Sequence, residues 1–363
     1  MEKKSALILA GVGIGLIAVL LAVFGNPANM ALCIACFLRD SAGALRLHSA
    51  APVQYLRPEI LGIILGAFVT ALIRKEFKAT AGSSPATRFI LGFVMMTGAL
   101  VFLGCSFRMV LRMAAGDLNA WLGLIGLVAG VAVGTFFLKK GFTLGKAQET
   151  KVQSGFVVPI IAVILLGLTA VGSFYAASVA GPGSAHAPIL ISLGAGLAIG
   201  AIGQLTRLCT TGAIRNVILA KDFNLLLVIG SFFLVVLAAN LISTYIVPIQ
   251  GLAFNLGMEA QPISHSETLY NILGLFIFGF GGVLAGGCPF RQLILTGQGS
   301  GDGAMTLLGL ITGAALAHNF AFASVADNPA MDIVGGPTTR GVLMVVISII
   351  VLFVIALTHR EKQ

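Results

Sequence analysis

The sequence predicts an all-α polytopic membrane protein with about ten transmembrane helices, four re-entrant segments that carry cysteine, and an inverted internal repeat. Three observations support this fold class: a very apolar composition, apolar stretches long enough to cross a bilayer, and matched cysteine motifs in the two halves. Of the 363 residues, 58% are hydrophobic and only 10% are charged. Because a soluble domain carries about a quarter charged residues, we expect one membrane domain over residues 1–363.

The predicted crossings are apolar stretches of helix-spanning length. About 20 apolar residues cross roughly 30 Å of hydrocarbon as an α-helix, which satisfies its own backbone hydrogen bonds where water is absent. The ten predicted crossings are 5–24, 58–74, 87–104, 119–138, 155–178, 188–206, 223–247, 268–286, 303–322 and 339–358. The first of them resembles a signal peptide, but we interpret it as an uncleaved helix because Cys33, just after it, belongs to the repeat.

The positive charge is distributed unevenly between the two sides of this topology. With a cytoplasmic N-terminus, all ten lysines fall on the cytoplasmic side, as expected from the excess of positive charge in cytoplasmic loops. The single tryptophan and the four tyrosines lie near the outer ends of their helices, where amphipathic rings prefer to sit. The net charge of +9 therefore reflects membrane topology and indicates no nucleic-acid partner. Both termini are predicted to be cytoplasmic.

Four of the five cysteines occur in two matched pairs of motifs. In the first half, L-C-x5-R contains Cys33 and Arg39, and G-C-S-F-R contains Cys105 and Arg108. The same spacings return in the second half, at Cys209, Arg215, Cys288 and Arg291. Half one is predicted to span 5–140 and half two 185–325, with helix 155–178 between them and helix 339–358 at the end. The odd linking helix makes the second half enter the membrane from the opposite side, a plan that places transporter sites near the midplane.

The motif residues suit a small anion that contains sulfur or selenium. Guanidinium groups bind oxyanions with planar, permanently charged donors, and a thiol is a soft, weak hydrogen-bonding group. The residues predicted to line a substrate path are Cys33, Cys105, Cys209, Cys288, Arg39, Arg108, Arg215 and Arg291. As alternatives, the arginines satisfy helix C-terminal carbonyls and each cysteine is a small buried hydrophobe. The recurrence of cysteine at four equivalent places favours the path.

Several other polar residues receive structural interpretations. Cys36 forms C-I-A-C with Cys33, but its counterpart in half two is Gly212, so we treat it as accessory. A single C-x-x-C without a second ligand pair does not predict a metal site, and no cofactor is expected. Asp117 and Asp302 are interpreted as helix N-caps. Asn240, in the middle of a predicted crossing, is expected to make an interhelical hydrogen bond.

At these motifs the chain resembles the YeeE/YedE family of bacterial inner-membrane sulfur-transport proteins. The segments G-N-P-A-N-M-A-L-C-I-A-C-F-L-R-D, Q-Y-L-R-P-E-I, L-C-T-T-G-A-I-R-N and G-G-C-P-F-R-Q-L-I-L-T-G-Q-G-S-G-D are most similar to the YedE branch, described as selenium transporters. The resemblance implies buried loops with functional cysteines, and passage of the anion by transient S–H···S hydrogen bonds. It also implies that Cys33, Cys105 and Cys288 are path cysteines, with Cys209 as the fourth. A small cytoplasmic TusA-like carrier is the implied partner.

The predicted function is import of a small inorganic sulfur or selenium anion, such as a thiosulfate-like ion, across the bacterial inner membrane. No G-x4-G-K-[ST] motif for ATP is present. Two alternatives remain open: a membrane sulfurtransferase or thiol oxidoreductase that uses the cysteines covalently, and a passive anion channel. The absence of a nearby histidine or lysine base argues against an enzyme.

Overall fold

The computed structural model describes residues 2–171, 174–259 and 261–360, and this part of the chain is almost entirely helical. Its α-helices are α1 (Glu2–Val23), α2 (Ile34–Ala44), α3 (Pro58–Ile73), α4 (Pro85–Val101), α5 (Ser106–Ala114), α6 (Leu118–Lys139), α7 (Val152–Leu168), α8 (Ile189–Thr206), α9 (Thr210–Ala220), α10 (Asn224–Tyr245), α11 (Thr268–Leu284), α12 (Pro289–Gly297), α13 (Gly301–Asn319) and α14 (Thr339–Thr358). Two short strands, β1 (Thr80–Ala81) and β2 (Gln148–Glu149), pair antiparallel.

The predicted fold class is confirmed: the protein is an all-α polytopic membrane protein. Within the described residues, eight helical segments are long and apolar enough to cross a membrane. Every predicted crossing coincides with a helix, but two of these helices are not among the eight. Helix α7 has only 17 residues, and α13 carries Asp302 near its start and His318 near its end. Crossing by these two helices remains a prediction.

The predicted helix 155–178 was wrong at its C-terminal end. Helix α7 ends at Leu168, and the chain then turns, so that Tyr175 lies outside any helix. The tyrosine hydroxyl donates a hydrogen bond back to the carbonyl of Leu165 at 2.7 Å. Residues 172–173 of the predicted helix lie outside the described residues.

The long helices pack in two kinds of pair that the repeat relates to each other. Helix α3 packs along α8 and α1 along α10, while α4 packs along α13 and α6 along α11. If half two repeats half one, then α1, α3, α4 and α6 correspond to α8, α10, α11 and α13. Replacing each helix by its counterpart turns the pair α3–α8 into α10–α1 and the pair α4–α13 into α11–α6. Both resulting pairs are observed. The pairing supports the predicted repeat, whose bounds of 5–140 and 185–325 remain a prediction.

Glycines allow these paired helices to approach each other closely. A Cβ added at Gly126 or Gly130 of α6 would collide with a backbone carbonyl of α11, at Ile272 or Phe276. Equivalent collisions with the partner backbone occur at Gly66 on α3, Gly309 on α13 and Gly11 on α1. Small residues are the usual means of helix association in membranes, because close packing replaces the hydrophobic effect there.

The four short helices α2, α5, α9 and α12 are inserted between the long helices. Each has nine to eleven residues, and α2, α5 and α12 are almost completely buried. Residues with positive φ interrupt the helix ahead of three of them: Leu103 at 61°, Arg207 at 55° and Gly286 at 84°. A left-handed residue ends a helix because it turns the chain away from the axis.

The two aspartates predicted as N-caps differ in the structure. Asp117 is the N-cap of α6 and accepts from the backbone N–H of Ala120, as predicted. For Asp302 the prediction was wrong, because Ser300 caps α13 and Asp302 lies in its first turn. The Asp302 carboxylate instead accepts hydrogen bonds from the backbone N–H groups of Gly82 and Ser83. It therefore ties the residues that follow β1 to α13.

Candidate functional site

Each of the four repeated cysteines is the N-cap residue of one short helix. Cys33 precedes α2, Cys105 precedes α5, Cys209 precedes α9 and Cys288 precedes α12. All four are buried, with free thiols. A helix N-terminus presents unpaired N–H groups and the positive end of the helix dipole. The repeat therefore places each thiol beside backbone groups that favour negative charge.

Three thiols meet in an outer cluster formed by Cys33, Cys36 and Cys105. The Sγ atoms of Cys33 and Cys36 are 2.8 Å apart, and the Cys105 side chain lies next to that of Cys33. The backbone N–H of Cys36 donates to Cys33 Sγ at 3.3 Å. Cys36, which the sequence suggested as accessory, is thus a member of the cluster.

The other two thiols meet in an inner cluster formed by Cys209 and Cys288. Their side chains are hydrogen-bonded, and the backbone N–H of Cys288 donates to Cys209 Sγ at 3.3 Å. The N–H of Gly212 donates to the same sulfur at 3.2 Å. This bond repeats the one from Cys36 to Cys33, so the two halves share the same local geometry.

Two hydroxyl groups connect the outer cluster to the inner cluster. The side-chain oxygens of Ser106 and Thr210 are 2.5 Å apart, and the Thr210 side chain lies next to that of Cys288. Ser106 directly follows Cys105, and Thr210 directly follows Cys209. A connected series of thiols and hydroxyls therefore runs between the two clusters. Sequence reasoning missed both hydroxyls, although their position next to a path cysteine was a usable signal.

Arg108 lies beside the outer cluster as a fully buried cation. Its guanidinium donates to the backbone carbonyls of Asn29, Pro262 and Ile263 at 2.9–3.2 Å and also to that of Leu103. Its Nη1 is 3.7 Å from Cys36 Sγ. Within the described residues, no carboxylate forms a salt bridge with it. Its donors therefore bind backbone carbonyls, as the alternative for the arginines predicted, while its positive charge, which no described carboxylate neutralises, favours an anion nearby.

Arg39 differs from Arg108 because it has a carboxylate partner. Its Nη2 is 2.7 Å from Asp40, which also binds Arg57 at 2.8 Å. All three side chains are buried, so two positive charges share one negative charge and the group retains a net charge of about +1. Neither Asp40 nor Arg57 was predicted as part of the site. The adjacent sequence R-D was the available signal for Asp40.

An outer cavity of about 360 Å³ lies on the side of the outer cluster that faces the loops 45–57, 246–267 and 320–338. Its lining includes Arg39, Leu103, Ile263 and His318, but no cysteine. His48, whose ring contacts that of His318 in a tilted arrangement with centroids 4.8 Å apart, lies in the first of these loops. Burial lowers the pKa of His48, so this ring adds no positive charge near neutral pH.

An inner cavity of about 480 Å³ lies on the opposite side, next to Leu7 of α1. Its lining includes Cys209, Arg207, Arg215 and Arg291. Arg207 is paired with Glu76 at 3.5 Å, and Arg215 donates to the side chain of Asn216. The Nη1 atom of Arg291 is buried without a hydrogen-bond partner among the described residues. The inner cavity therefore brings one path thiol together with guanidinium groups that have free donors.

The structure thus brings all eight predicted residues to one of three places: the outer cluster and its arginines, the inner cluster, or the inner cavity. Within the described residues, no group of three or more histidine, cysteine, aspartate or glutamate side chains has the geometry for a metal ion. The arrangement can hold small anions by charge and by weak hydrogen bonds from soft thiols.

A family model described as sulphur transport matches residues 1–133 and 205–362. The chain belongs to this sulphur transport family. No curated protein matches the sequence. The two matched stretches contain every cysteine–arginine motif, and the unmatched stretch between them holds α7 and most of α8. As a member of the sulphur transport family, the protein is a multi-pass membrane transporter for sulfur compounds.

Proposed function

We propose that the protein imports a small inorganic anion of sulfur or selenium through a path formed by the outer cluster, the Ser106–Thr210 pair and the inner cluster. The bacterial inner membrane is the proposed location, with both termini in the cytoplasm. Thiosulfate-like ions and selenium species both fit the combination of soft thiols and guanidinium groups. The proposed path runs through the buried core between the outer and inner cavities.

The contact between the two cysteine clusters carries this proposal. Side chains from four separate short helices form a connected series in the middle of a very apolar protein, from Cys36 through Ser106 and Thr210 to Cys209. Packing alone does not require cysteine at four helix N-caps. A soft anion moving along this series exchanges one weak hydrogen bond for the next. No single thiol or hydroxyl therefore binds the anion too tightly to release it.

The buried charges support an anion as the substrate. Arg108 at the outer cluster and Arg291 at the inner cluster have no carboxylate partner among the described residues. Each lies within the reach of a path thiol, and their separation along the chain follows the repeat. An anion that enters the path replaces the missing counter-charge at both positions, which lowers the free energy of binding there.

The cytoplasmic partner proposed here is a small TusA-like sulfur carrier. The inner cavity presents Cys209 and several arginines toward the side where the lysines of the chain are predicted to lie. A carrier protein that receives the anion meets a basic surface around this opening. The proposal for a carrier rests on the family resemblance and on this charge.

Tracer uptake into cells that carry Cys105→Ser or Cys288→Ser tests the path. Serine keeps the size of the side chain but loses the soft sulfur, and we expect uptake to fall by about tenfold or more in each variant, the effect of losing roughly 1.4 kcal/mol at one station. Ser348→Ala, at a buried position of α14 outside the path, is the matched control. Wild-type uptake in both cysteine variants at normal expression would contradict the path.

Binding measurements on the purified protein identify the substrate class. Thiosulfate, sulfate, selenite and selenocyanate are compared in one titration series. We expect the ions with an exposed sulfur or selenium atom to bind more tightly than sulfate, because only they present a soft atom to the thiols. Conductance for halide or nitrate with no such preference would instead support a passive anion channel.

A further inference from the structure

We propose that Cys33 and Cys36 form a redox-modification site, in which a reversible disulfide closes the outer cluster. Both residues lie in the first turn of α2, with Cys33 as the N-cap. A C-x-x-C pair at a helix N-terminus is the arrangement that thiol–disulfide exchange proteins use, because the helix end stabilises the attacking sulfur. The contact geometry, the lack of a counterpart in half two and the nearby cavity support this site.

The two sulfur atoms are already in contact in the reduced protein. Their separation of 2.8 Å has to shorten by less than about 1 Å to reach the length of a disulfide bond. The Cys36 N–H already points at Cys33 Sγ, so the backbone needs little rearrangement. Arg108 Nη1, 3.7 Å from Cys36 Sγ, stabilises negative charge on the sulfur that attacks.

The second half of the protein lacks this pair. The residue that corresponds to Cys36 is Gly212, and its N–H binds Cys209 Sγ in the same way. Cys209 therefore has no partner at this spacing. The inner cluster contains only its two repeated cysteines, whereas the outer cluster contains its two repeated cysteines and one additional thiol. The second half has the same local geometry without this thiol, so we assign Cys36 a role other than forming the repeated site.

Because Cys36 is buried and no cysteine lines the outer cavity, the oxidant is a small disulfide compound that enters this cavity and reaches Cys36 when the Leu103 side chain moves aside. Cys36 Sγ lies 4.0 Å from the carbonyl oxygen of Leu103, a residue that lines the cavity. The Cys36 thiolate attacks one sulfur of the compound, forms a mixed disulfide and releases the first thiol. Cys33 then attacks Cys36 Sγ, forms the Cys33–Cys36 bond and releases the second thiol. Two protein thiols lose two electrons, and one external disulfide becomes two thiols.

Oxidation removes the Cys33 S–H group from the path. Cys33 lies next to Cys105, and a disulfide sulfur has no proton to donate to an anion or to Cys105. Uptake is therefore blocked until a reductant restores both thiols. This closure rests on the proposed transport path, whereas formation of the disulfide does not depend on it.

Thiol counting on the purified, folded protein tests the modification. After treatment with oxidised glutathione, free thiols are alkylated and the peptide that contains Cys33 and Cys36 is examined by mass spectrometry. We expect wild type to lose two of its five free thiols and the peptide to lose two hydrogens, both reversed by dithiothreitol. Cys36→Gly, which copies the second half, and Cys36→Ser are expected to keep all their remaining thiols.

Uptake by the same protein after reconstitution into lipid vesicles tests the closure. We expect oxidised glutathione to abolish wild-type uptake reversibly and to leave the uptake of Cys36→Gly unchanged. A wild-type protein that keeps five free thiols would overturn the modification site. A disulfide that forms without loss of uptake would overturn the closure. Failure of the reduced protein to transport any tested anion would instead count against the proposed function, while thiol counting still decides the disulfide.

A separate observation leads to a second inference: we infer that Leu103 and Ile263 form an outer gate. Both residues line the outer cavity, and their carbonyls bind Arg108. Both adopt positive φ, 61° at Leu103 and 52° at Ile263, which is unfavourable for bulky and β-branched residues. Such strain persists only where the surrounding structure imposes it and is concentrated at functional sites.

The repeat shows why this gate is closed only on the outer side. Leu103 lies two residues before Cys105, and Gly286 lies two residues before Cys288. Gly286 lines the inner cavity together with Cys209, and a Cβ at this position would meet nothing within 4 Å. The inner cavity therefore contains a path cysteine, whereas the outer cavity contains none and has Leu103 at the position that Gly286 occupies in the second half, and we assign the closure to the Leu103 side chain.

Labelling with a membrane-impermeant, anionic thiol reagent tests the gate in intact cells. We expect Leu103→Gly to raise the labelling rate of Cys36 or Cys105 from outside by about tenfold or more, because glycine removes the blocking side chain and accepts positive φ. Leu100→Ala, at another apolar residue of the same cavity lining, is the matched control. Equal labelling rates in wild type and Leu103→Gly, at equal thermal stability, would overturn the gate.

Discussion

At the residue scale, the arginines near the path separate into those with a carboxylate partner and those without one. Arg112 is paired with Asp117, and Arg39 shares Asp40 with Arg57, so both have an acidic partner. Arg108 and Arg291 have no such partner among the described residues. A guanidinium without a carboxylate partner leaves a net positive charge in an apolar interior, and a bound anion neutralises this charge. We therefore expect the arginines without a carboxylate partner to determine how strongly an anion binds.

Arg291→Gln is the sharpest test of this charge, because the Arg291 guanidinium has no structural hydrogen bond among those described. Losing a charge-assisted interaction of about 1.5–3 kcal/mol is expected to raise the KM for anion uptake by about 10- to 100-fold. Arg291→Lys retains the charge and is expected to lose less. KM and thermal stability are measured together.

The control for this experiment is Arg207→Gln, in the lining of the same cavity. Arg207 is half-exposed and paired with Glu76 at 3.5 Å, so its removal changes the local charge balance less. A KM increase of equal size in the two glutamine variants would show that Arg291 has no special role and that only the overall charge of the cavity matters.

At the scale of elements, glycine contacts decide how closely the paired long helices approach. The carbonyls of α11 occupy the space in which side chains at Gly126 and Gly130 of α6 would lie. Short cysteine helices are inserted next to these pairs, and α9 packs against both α6 and α11. A change in the distance between two long helices therefore moves the N-terminus of a path helix.

Gly130→Ala is expected to destabilise the protein, because the added methyl group overlaps the Phe276 carbonyl and the helices must separate, at a cost of about 1–3 kcal/mol. Gly230→Ala on α10 is the matched control, since a Cβ there meets nothing within 4 Å. Thermal unfolding in detergent measures both. Equal melting temperatures in the two variants would contradict the close packing of α6 on α11.

The Ser106–Thr210 contact belongs to the same scale, because it joins the first turns of α5 and α9. Thr210→Val keeps the shape of the side chain but removes the hydroxyl, so the link to Ser106 and Cys288 is lost. We expect uptake to fall by about tenfold while the melting temperature changes little. Thr306→Val, a buried threonine of α13 that bonds to its own helix, serves as the control. Normal uptake in Thr210→Val would remove the hydroxyls from the path.

At the scale of the whole molecule, the two cavities lie on opposite sides of the cysteine clusters. The inner cavity is next to Leu7 and Asp222, and the outer cavity is next to the loops that contain Pro182 and Ile263. In the predicted topology, the lysines lie on the same side as the inner cavity. If positive loops are cytoplasmic, the structure is open toward the cytoplasm and closed toward the outside.

Single added cysteines test this orientation, because all five native cysteines are buried. Lys146 and Ala253 are both exposed and lie in loops predicted to be on opposite sides. An impermeant maleimide is expected to label Ala253→Cys in intact cells and Lys146→Cys only after the cells are lysed. The reverse pattern would invert the topology and, with it, the proposed direction of transport.

The sequence by itself determined the membrane class, the positions of the eight helical segments that are long and apolar enough to cross a membrane, and the repeated cysteine–arginine motifs. These properties depend on composition and on spacing along the chain, because a bilayer rewards long apolar helices wherever they occur. The sequence also indicated the interhelical bond of Asn240, which donates to the Ala114 carbonyl at 3.1 Å.

Only the tertiary structure decided which of these residues meet. The contact of Cys36 with Cys33 and Arg108, the Ser106–Thr210 link and the pairing of Arg39 with Asp40 and Arg57 arise where short helices from distant segments converge. Spacing along a chain does not fix distances between helices, because those depend on glycine contacts and on backbone turns such as the one at Leu103. For the same reason, the role of Asp302 was assigned wrongly until its partners just after β1 were known.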